Sequence, residues 1–425
     1  MKIISTKDKD FKEKFRQIEK RSIDLEKIEK DVRQIIDRVK REGDKALLEF
    51  TKKFDKVELD LSQLEVKKDE LQSAYRDLSK EEMDSITLAY QRIKEFHHKQ
   101  SEKSWFVTEK EGEFLAQKLV PIERVGVYVP GGRTIYPSCV LMNVVPAKVA
   151  GVKEVIVVTP PSSEGIASSV LTAMYLCGVD RVFKVGGAHA IAALAYGTNT
   201  IPKVDKIVGP GNIFVTCAKK LLYGEVDIDM LAGPSEVVVI ADEKAPCSFI
   251  ASDLLAQAEH DPMAMSVLIT YKEDIVKDVE KELDTQIKDL VFPDEIKNQI
   301  VIIICRDLDE AFELSNRIAP EHLELVIDDP MKWIYKVENA GAVFLGPYSP
   351  VTIGDYLAGP NHVLPTAGTA RFFSCLNVGD FQKRISIISF TKETLSRLAE
   401  STIRLARMES LEAHARSVEK RLKSY

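Results

Sequence analysis

Two hydrophobic patterns divide the chain, and the change between them falls near residue 120. Residues 1 to about 104 are highly charged and carry apolar residues at helical spacing, as in residues 27–55 (KIEKDVRQIIDRVKREGDKALLEFTKKFD) and 80–100 (KEEMDSITLAYQRIKEFHHKQ). Apolar positions that recur every three or four residues predict amphipathic helices. His97 and His98 stand beside lysines at the end of the second stretch, so we expect a solvated helix end there.

Short, almost continuously apolar runs follow, separated by stretches with helical spacing. One series occupies residues 125–129, 154–158, 181–185 and 206–210, and a second occupies 236–241, 265–270, 300–305, 323–328 and 341–346. Apolar strands that alternate with helices are typical of parallel sheets covered on both faces. The sequence therefore predicts two α/β domains, and from about residue 377 a charged helical pattern returns.

Composition narrows the class of protein. With 425 residues, two or three domains are expected, and the net charge of −7 argues against nucleic acid or an anionic membrane as the main partner. The start, MKIISTKDKDFKEKF, lacks the apolar core of a signal peptide, and no apolar run approaches membrane-spanning length. The six cysteines form no CxxC pair, which favours buried thiols in a reducing cytoplasm over a zinc ribbon or disulfide scaffold.

Glycine-rich turns end several strands of the first series. They read YVPGGRTIYP (128–137), KVGGAHAIAAL (184–194) and VGPGNIFVTCAKK (208–220). Glycine lets backbone approach a ligand closely, and helix N-termini favour phosphate. No G-x-G-x-x-G follows the first strand, so the pattern leaves nucleotide binding and ordinary turns as open alternatives.

The stretch LLAQAEHDP (254–262) raises the question of a metal. Gln257 and His260 are three residues apart at the end of a predicted helix, so they share one face. They are candidates for half of a metal site. The alternative is a helix end at which an imidazolium meets the negative end of the helix dipole.

Further polar clusters follow in the second series. Glu321 and His322 stand side by side before a strand, where the carboxylate could activate water and the imidazole could move protons. The alternative is a helix-capping acid beside a surface histidine. A Gly/Pro-rich segment (349–366) holds Asp355 and His362, and ESLEAH near the C-terminus holds Glu409 and His414. Turn chemistry would explain Asp355 equally well, and a solvated helix would explain His414.

Taken together, these motifs resemble one known family. VLMNVVPAKVAGVKEVIVVTPP, VGGAHAIAALAYGT, VDKIVGPGN, AGPSEVVVIAD, LLAQAEHD, APEHLEL and GDYLAGPNHVLPT occur in order, and together they resemble histidinol dehydrogenase over roughly residues 20 to 420. The resemblance implies a zinc-containing, NAD-dependent enzyme of histidine biosynthesis. It would oxidise L-histidinol twice, through the aldehyde, to L-histidine.

The resemblance also implies a role for each matching residue. Zinc would be held by Gln257, His260, Asp355 and His414, with the imidazole and amino nitrogens of the substrate completing the coordination. Glu321 would activate water on the aldehyde, and His322 would be the general acid and base. Further substrate contacts would come from Ser235, His362 and Glu409, and NAD contacts from Tyr128, His189 and Asn212. His189 departs from the family, which usually has glutamine there, so its contact with the cofactor is in question.

The implied fold is two similar α/β domains with incomplete Rossmann-like parallel sheets, plus small helical end segments. We expect a helical segment over 1–22, a zinc-bearing domain from 23–126 and 235–376, an NAD-binding domain over 127–234 and a helical C-terminal segment over 377–425. That last segment would be exchanged in an intertwined cytoplasmic homodimer whose subunits share their active sites. Two other functions remain open for this sequence. One is a zinc hydrolase with Glu321 as its base, and the other is a non-catalytic nucleotide-binding module.

Overall fold

The computed structural model describes residues 1–21, 25–131 and 135–423. Gly132, Arg133 and Thr134 of the first glycine-rich turn lie outside these ranges, as does the expected boundary at residues 22 and 23. No helix within the described ranges is long and apolar enough to cross a membrane.

A six-stranded parallel sheet is built mainly from the second series of apolar runs. Its strands are β1 (Lys2–Ser5), β9 (Glu236–Ala241), β10 (Met265–Thr270), β11 (Ile300–Ile304), β12 (His322–Val326) and β13 (Ala342–Leu345). The strand order is β1-β11-β10-β9-β12-β13. The helices that connect or flank these strands are α1 (Phe11–Glu19), α10 (Cys247–Ala258), α11 (Glu273–Gln286), α12 (Pro293–Asn298), α13 (Leu308–Ile318) and α14 (Val351–Tyr356).

A five-stranded parallel sheet is built from the first series. Its strands are β4 (Arg124–Tyr128), β5 (Glu154–Thr159), β6 (Arg181–Lys184), β7 (Lys206–Val208) and β8 (Asp227–Ile228), in the order β6-β5-β4-β7-β8. Its helices are α2 (Glu26–Glu42), α3 (Asp44–Phe54), α4 (Lys68–Ala74), α5 (Lys80–His98), α6 (Pro137–Ala150), α7 (Ser168–Cys177), α8 (Gly187–Tyr196) and α9 (Ile213–Leu222).

The two sheets have the same internal topology. Numbered along its own series, each sheet runs 3-2-1-4-5, which is the Rossmann order without its sixth strand. In the six-stranded sheet β1 adds one parallel strand beside β11. Alternate residues of a strand enter separate cores, as Val237 and Val238 do, because both faces of each sheet are covered. The predicted pair of incomplete Rossmann-like domains is confirmed.

A third, antiparallel sheet leads into the C-terminal helices. It consists of β2 (Trp105–Val107), β3 (Glu113–Pro121) and β14 (Gln382–Phe390) in the order β14-β3-β2. Two helices follow it, α15 (Lys392–Met408) and α16 (Glu412–Lys423), and they pack on each other. The segment 377–425 is therefore not wholly helical as expected, because β14 pairs along its whole length with β3.

Packing also groups the N-terminal residues differently from the expected division. Residues 1–22 contribute β1 as well as α1, since Lys2–Ser5 pairs with β11. Helices α2 and α3 share a core with β4 to β7, and α4 and α5 pack on the opposite face of the same sheet. The helices of segment 23–126 thus cover the five-stranded sheet, although we expected them to belong with residues 235–376. The expectation for His97 was wrong, because its side chain is fully buried and bonded to Asn361.

Candidate active site

The candidate catalytic residues meet at the amino ends of β9 and β12. Ser235 directly precedes β9, Glu321 directly precedes β12, and His322 is the first residue of β12. Because the two strands are parallel neighbours, with His322 paired to Val237, their amino ends share one edge of the six-stranded sheet. The same edge receives the C-terminal end of α10, which carries Gln257.

Glu321 and His322 are buried and held by backbone groups. The Oε2 atom of Glu321 accepts a hydrogen bond of 2.9 Å from the N–H of Glu236 and lies 3.6 Å from Nδ1 of His322. Nδ1 of His322 lies 3.0 Å from the carbonyl oxygen of Glu236. A carbonyl oxygen only accepts, so Nδ1 carries the proton and Nε2 is the basic nitrogen of this ring.

Burial shifts the pKa values of Glu321 and His322 in opposite directions. It raises the pKa of Glu321 well above its usual value, and the charge of Asp355 adds to this, while a hydrogen bond from Ser235 opposes it. Burial lowers the pKa of His322 to about 3, and the nearby His362 and His260 contribute. Both effects favour the neutral form, so His322 is an unprotonated base at neutral pH.

The predicted ligands Asp355 and His260 belong to the same cluster. Nδ1 of His362 lies 3.9 Å from Oδ1 of Asp355. Burial, followed by the charge of His260, lowers the pKa of His362 to about 4. Burial also raises the pKa of Asp355 to about 6. Gln257 is buried in the last turn of α10, three residues before the exposed His260.

The donors present in this cluster are of the types that zinc accepts. Gln257 offers an amide oxygen, His260 an imidazole nitrogen and Asp355 a carboxylate oxygen, without any thiolate. The rise in the pKa of Asp355 shows that its charge lacks compensation in the protein alone. A divalent cation would supply that compensation, so the residues fit the group. Asp355 lies on α14 rather than in the loop that we expected.

The tail residues do not join this cluster within one chain. Glu409 and His414 are exposed, on or beside the paired helices α15 and α16. In the part of the chain that the structure describes, no group of three or more His, Cys, Asp or Glu side chains could hold a metal ion. His414 therefore does not complete a site with His260 and Asp355 of its own chain.

The predicted cofactor residues lie at the carboxyl edge of the five-stranded sheet. Tyr128 ends β4, and its hydroxyl accepts a hydrogen bond of 3.1 Å from the N–H of Gly187, at the start of α8. Asn212 follows β7 and caps α9, since its Oδ1 accepts from the N–H groups of Phe214 and Val215. Ligands of open α/β sheets bind at such carboxyl ends, between the strands where the order reverses.

A glycine allows two backbone segments to approach closely at this edge. Gly209 has a φ of +106°, and a Cβ there would lie 2.2 Å from the carbonyl oxygen of Tyr128. The first glycine-rich turn adjoins the candidate catalytic cluster, because Tyr136 near its end lies close enough to Tyr356 of α14 to raise the pKa of Tyr356, after burial and Asp355. The position of this edge, where ligands of open α/β sheets bind, fits a bound dinucleotide.

His189 lies deeper than a surface contact residue. Its side chain is 1 % exposed, its Nε2 lies 3.5 Å from Oγ1 of Thr51, and its ring packs against both Phe50 and Phe54. Burial lowers the pKa of His189 to about 3. Its Nδ1 is buried without a hydrogen-bond partner among the described residues and adjoins Gly187. The contact with a cofactor stays a prediction.

Sequence reasoning missed two charged residues that contact this site. Glu236 bonds to both Glu321 and His322, and Arg21 forms an ion pair with Glu236. Glu236 stands in the motif AGPSEV, where its place as the first residue of an otherwise apolar strand was the only signal. Nothing in the local pattern connects Arg21 with residues more than 200 positions away.

Known proteins match this chain over nearly its full length. The family model for histidinol dehydrogenase matches residues 18–422. The chain is 48% identical to a histidinol dehydrogenase of Syntrophotalea carbinolica over 428 residues, covering 100% of this chain and 99% of that protein. It is 49% identical to one of Listeria monocytogenes serotype 4b over 396 residues, covering 92% of each chain.

A solved structure gives the same result. The crystal structure of histidinol dehydrogenase from Elizabethkingia anophelis superposes with a TM-score of 0.93 at 36% identity, covering 100% of this chain and 98% of that one. Family model, relatives and fold agree over nearly the full length, and the chain belongs to the histidinol dehydrogenase family.

Proposed function

We propose that this protein oxidises L-histidinol to L-histidine in two NAD-dependent steps through L-histidinaldehyde, with one zinc ion per subunit. The observation that carries the proposal is the buried Glu321–His322 pair, which lies beside the candidate zinc ligands Asp355 and His260. Family membership supports the substrate and a place in histidine biosynthesis.

The substrate would be held by the predicted donors. Gln257, His260 and Asp355 of one chain would bind zinc together with His414 of a second copy. When bound, zinc would orient the imidazole and amino nitrogens of histidinol and add positive charge to the site. Ser235, His362 and Glu409 would surround the substrate. Ser235 already bonds to Glu321, and His362 lies beside Asp355.

Proton transfer falls to the two buried residues. In the first oxidation the Nε2 atom of His322 would take the hydroxyl proton of the alcohol. In the second, the carboxylate of Glu321 would take a proton from water as the oxygen bonds to the aldehyde carbon, and His322, protonated in the first step, would return its proton to the aldehyde oxygen to give the hydrate. Neutral His322 would then take a hydroxyl proton of the hydrate as its hydride leaves. NAD⁺, held near Tyr128, His189 and Asn212, would accept one hydride in each oxidation.

Burial of the pair suits this role. Glu321 and His322 are both less than a tenth exposed, which keeps bulk water from competing for the transferred protons. His322 stays neutral at physiological pH because burial holds its pKa at about 3. Glu321 needs a lowered pKa to act as a base, and neutralising the charge of Asp355 removes one of the two causes that raise it.

The test is a substrate and metal assay of the purified protein. L-histidinol should cause NAD⁺ reduction, with two NADH formed for each L-histidine. Chelation should abolish the reaction, and zinc should restore it. Full activity in protein shown by elemental analysis to be metal-free would contradict the zinc proposal. Ester or amide hydrolysis without any NAD requirement would favour a zinc hydrolase instead.

We also propose a cytoplasmic homodimer. All six cysteines are free thiols, which fits a reducing compartment. The antiparallel sheet and tail helices expose many apolar side chains, among them Phe106, Ile388 and Met408. Such a surface is typical of one that a second subunit covers.

A further inference from the structure

We propose that Glu236, held in place by Arg21, is a positioning residue that orients both Glu321 and His322. The inference rests on the proposed dehydrogenase function for its kinetic consequences. Its structural content concerns three contacts that meet on Glu236, at the first position of β9.

The first contact is a reciprocal pair of hydrogen bonds between the two glutamates. The N–H of Glu236 donates to Oε2 of Glu321 at 2.9 Å, and the N–H of Glu321 donates to Oε1 of Glu236 at 3.2 Å. Each carboxylate thus satisfies the backbone donor of the neighbouring strand end. This arrangement fixes the Glu321 side chain relative to its own backbone and to β9.

The second contact fixes the ring of His322. The carbonyl oxygen of Glu236 lies 3.0 Å from Nδ1 of His322 and can only accept. The proton therefore sits on Nδ1, and Nε2 is left with its lone pair for the substrate. One residue sets the tautomer of the base and the orientation of the carboxylate beside it.

The third contact places a positive charge beside the buried carboxylate of Glu236. Glu236 is 2 % exposed, and a buried carboxylate is costly unless it is paired. Arg21, in the connection after α1, forms an ion pair with Oε2 of Glu236 through NH1. Its NH2 donates to the carbonyl oxygen of Ile318 at 2.9 Å, at the end of α13 and just before the turn to Glu321.

These contacts exclude a direct catalytic role for Glu236. One carboxylate oxygen is engaged by the N–H of Glu321 and the other by Arg21, so neither is free for substrate. Burial lowers the pKa of Arg21 to about 10, with a contribution from Arg371, so Arg21 keeps its charge at neutral pH. The pair acts on the reaction through Glu321 and His322.

A double-mutant cycle tests the kinetic consequence in the holoenzyme. A displacement of about 1 Å at a reacting group costs on the order of 10²-fold in rate, so E236Q and R21M should each lower kcat about 10²-fold. The KM for L-histidinol and the zinc content should stay within about threefold of wild type, since neither residue contacts a predicted ligand or substrate residue other than Glu321 and His322. The double variant should lose no more than either single variant, because the residues act as one unit.

Two further variants sharpen the cycle. R21K keeps the charge and should retain at least about tenfold more activity than R21M. E19Q changes the same residue type at the end of α1, where Glu19 pairs with the half-exposed Arg317, and should leave kcat within about twofold. A folded E236Q protein with wild-type kcat, or losses that multiply in the double variant, would overturn the inference.

A spectroscopic measurement on wild-type protein tests the contact with His322 without any kinetic assay. Solid-state ¹⁵N NMR of protein labelled at its histidine nitrogens should show His322 neutral with the proton on Nδ1, assigned by the signal lost in H322N. A proton on Nε2 would overturn the inference. If wild-type protein fails to oxidise L-histidinol, the proposed function falls, and the tautomer still tests the positioning contacts separately.

Discussion

At the scale of single residues, the candidate site depends on burial more than on charge pairing. Desolvation by burial favours the protonated form of Glu321 and the unprotonated form of His322. Neighbouring groups then adjust the pKa of Glu321, since the charge of Asp355 raises it further and a hydrogen bond from Ser235 lowers it. Two adjacent residues can therefore have distinct roles in one reaction.

Replacing Glu321 should separate the two oxidations. E321Q keeps the shape of the side chain and removes the base that water needs in the second step. General-base assistance is worth about 10²–10⁴-fold, so oxidation of L-histidinaldehyde should fall by that order while oxidation of L-histidinol falls less. Single-turnover assays with each substrate measure the two rates. An equal loss in both steps would show that Glu321 does not have the assigned role.

Replacing His189 should affect the cofactor and leave the metal untouched. Its Nδ1 has no hydrogen-bond partner among the described residues and adjoins Gly187, at the edge predicted to bind NAD. H189Q restores the residue usual in the family and should change the Kd for NAD⁺ by less than about tenfold, equivalent to about 1.4 kcal/mol. Calorimetric titration measures this, and zinc analysis provides the control. Loss of zinc would make His189 a ligand.

Single residues also show where prediction from sequence stops. Glu321 and His322 could be found because their chemistry stands out beside a strand, and the structure brings them together with Asp355, His260 and His362. Long-range partners gave no such signal. His97 is buried and bonds to Asn361, which lies 264 positions away.

At the scale of secondary-structure elements, the buried strands were the most predictable feature. The run 236–241 matches β9 and the run 265–270 matches β10, because strands buried on both faces consist almost wholly of apolar residues. β1 has four residues and pairs with a strand about 300 positions away, so no local pattern reveals it. β14 was missed because its side chains are mostly exposed, and the following charged helices dominate the pattern.

A pair of acids joins three elements that carry site residues. Asp253 on α10 and Glu324 on β12 are hydrogen-bonded through their side chains, and Oε1 of Glu324 accepts from the N–H of Val351 at the start of α14. Burial, with the charge of Asp253, raises the pKa of Glu324 to about 9, and burial raises the pKa of Asp253 to about 6. The fold therefore favours protonated forms in this pair.

This pair predicts a loss of stability in alkali. Both folded-state pKa values exceed those of the unfolded chain, so their contribution is fully present at low pH and is lost as pH rises through about 6 and then about 9. The Tm of wild-type protein should fall between these pH values. E324Q can still donate to Asp253 without ionising, so its Tm should fall less.

A matched variant isolates this effect. Glu225 pairs with Lys203 at the surface, and that pairing lowers the pKa of Glu225, so E225Q removes no ionisation between pH 6 and pH 9. Thermal scans of the three proteins over the range give the comparison. If E324Q and wild-type protein lose the same Tm with rising pH, the shared-proton pair is not the cause.

At the scale of the whole molecule, the candidate residues lie at opposite edges of two sheets of equal topology. The five-stranded sheet presents the carboxyl ends of β4 and β7, and the six-stranded sheet presents the amino ends of β9 and β12. Within one chain this arrangement lacks His414, which stays on the exposed helix α16. The same tail exposes Ile388 at 68 %, Leu405 at 60 % and Met408 at 75 %. A second subunit would explain both features.

Exchange of the tail predicts that two inactive variants complement each other. Gln257→Ala and His414→Ala should each be inactive alone, because each removes one predicted zinc ligand. In a mixed dimer with crossed tails, one site combines the intact Gln257 of one chain with the intact His414 of the other, and the second site carries both lesions. Random pairing makes half of the dimers mixed, so unfolding and refolding the variants together should restore roughly a quarter of normal activity.

A tail that is not exchanged predicts a different result in the same refolding experiment. If the tail stays on its own subunit, every site of every dimer keeps one lesion, and the mixture remains inactive. Refolded wild-type protein sets the reference activity, and sedimentation of each variant must show that it dimerises before an inactive mixture counts. Activity near a quarter, with zinc recovered in proportion, would establish that His414 completes the site of its partner, because no arrangement within one chain yields an intact site from these two variants.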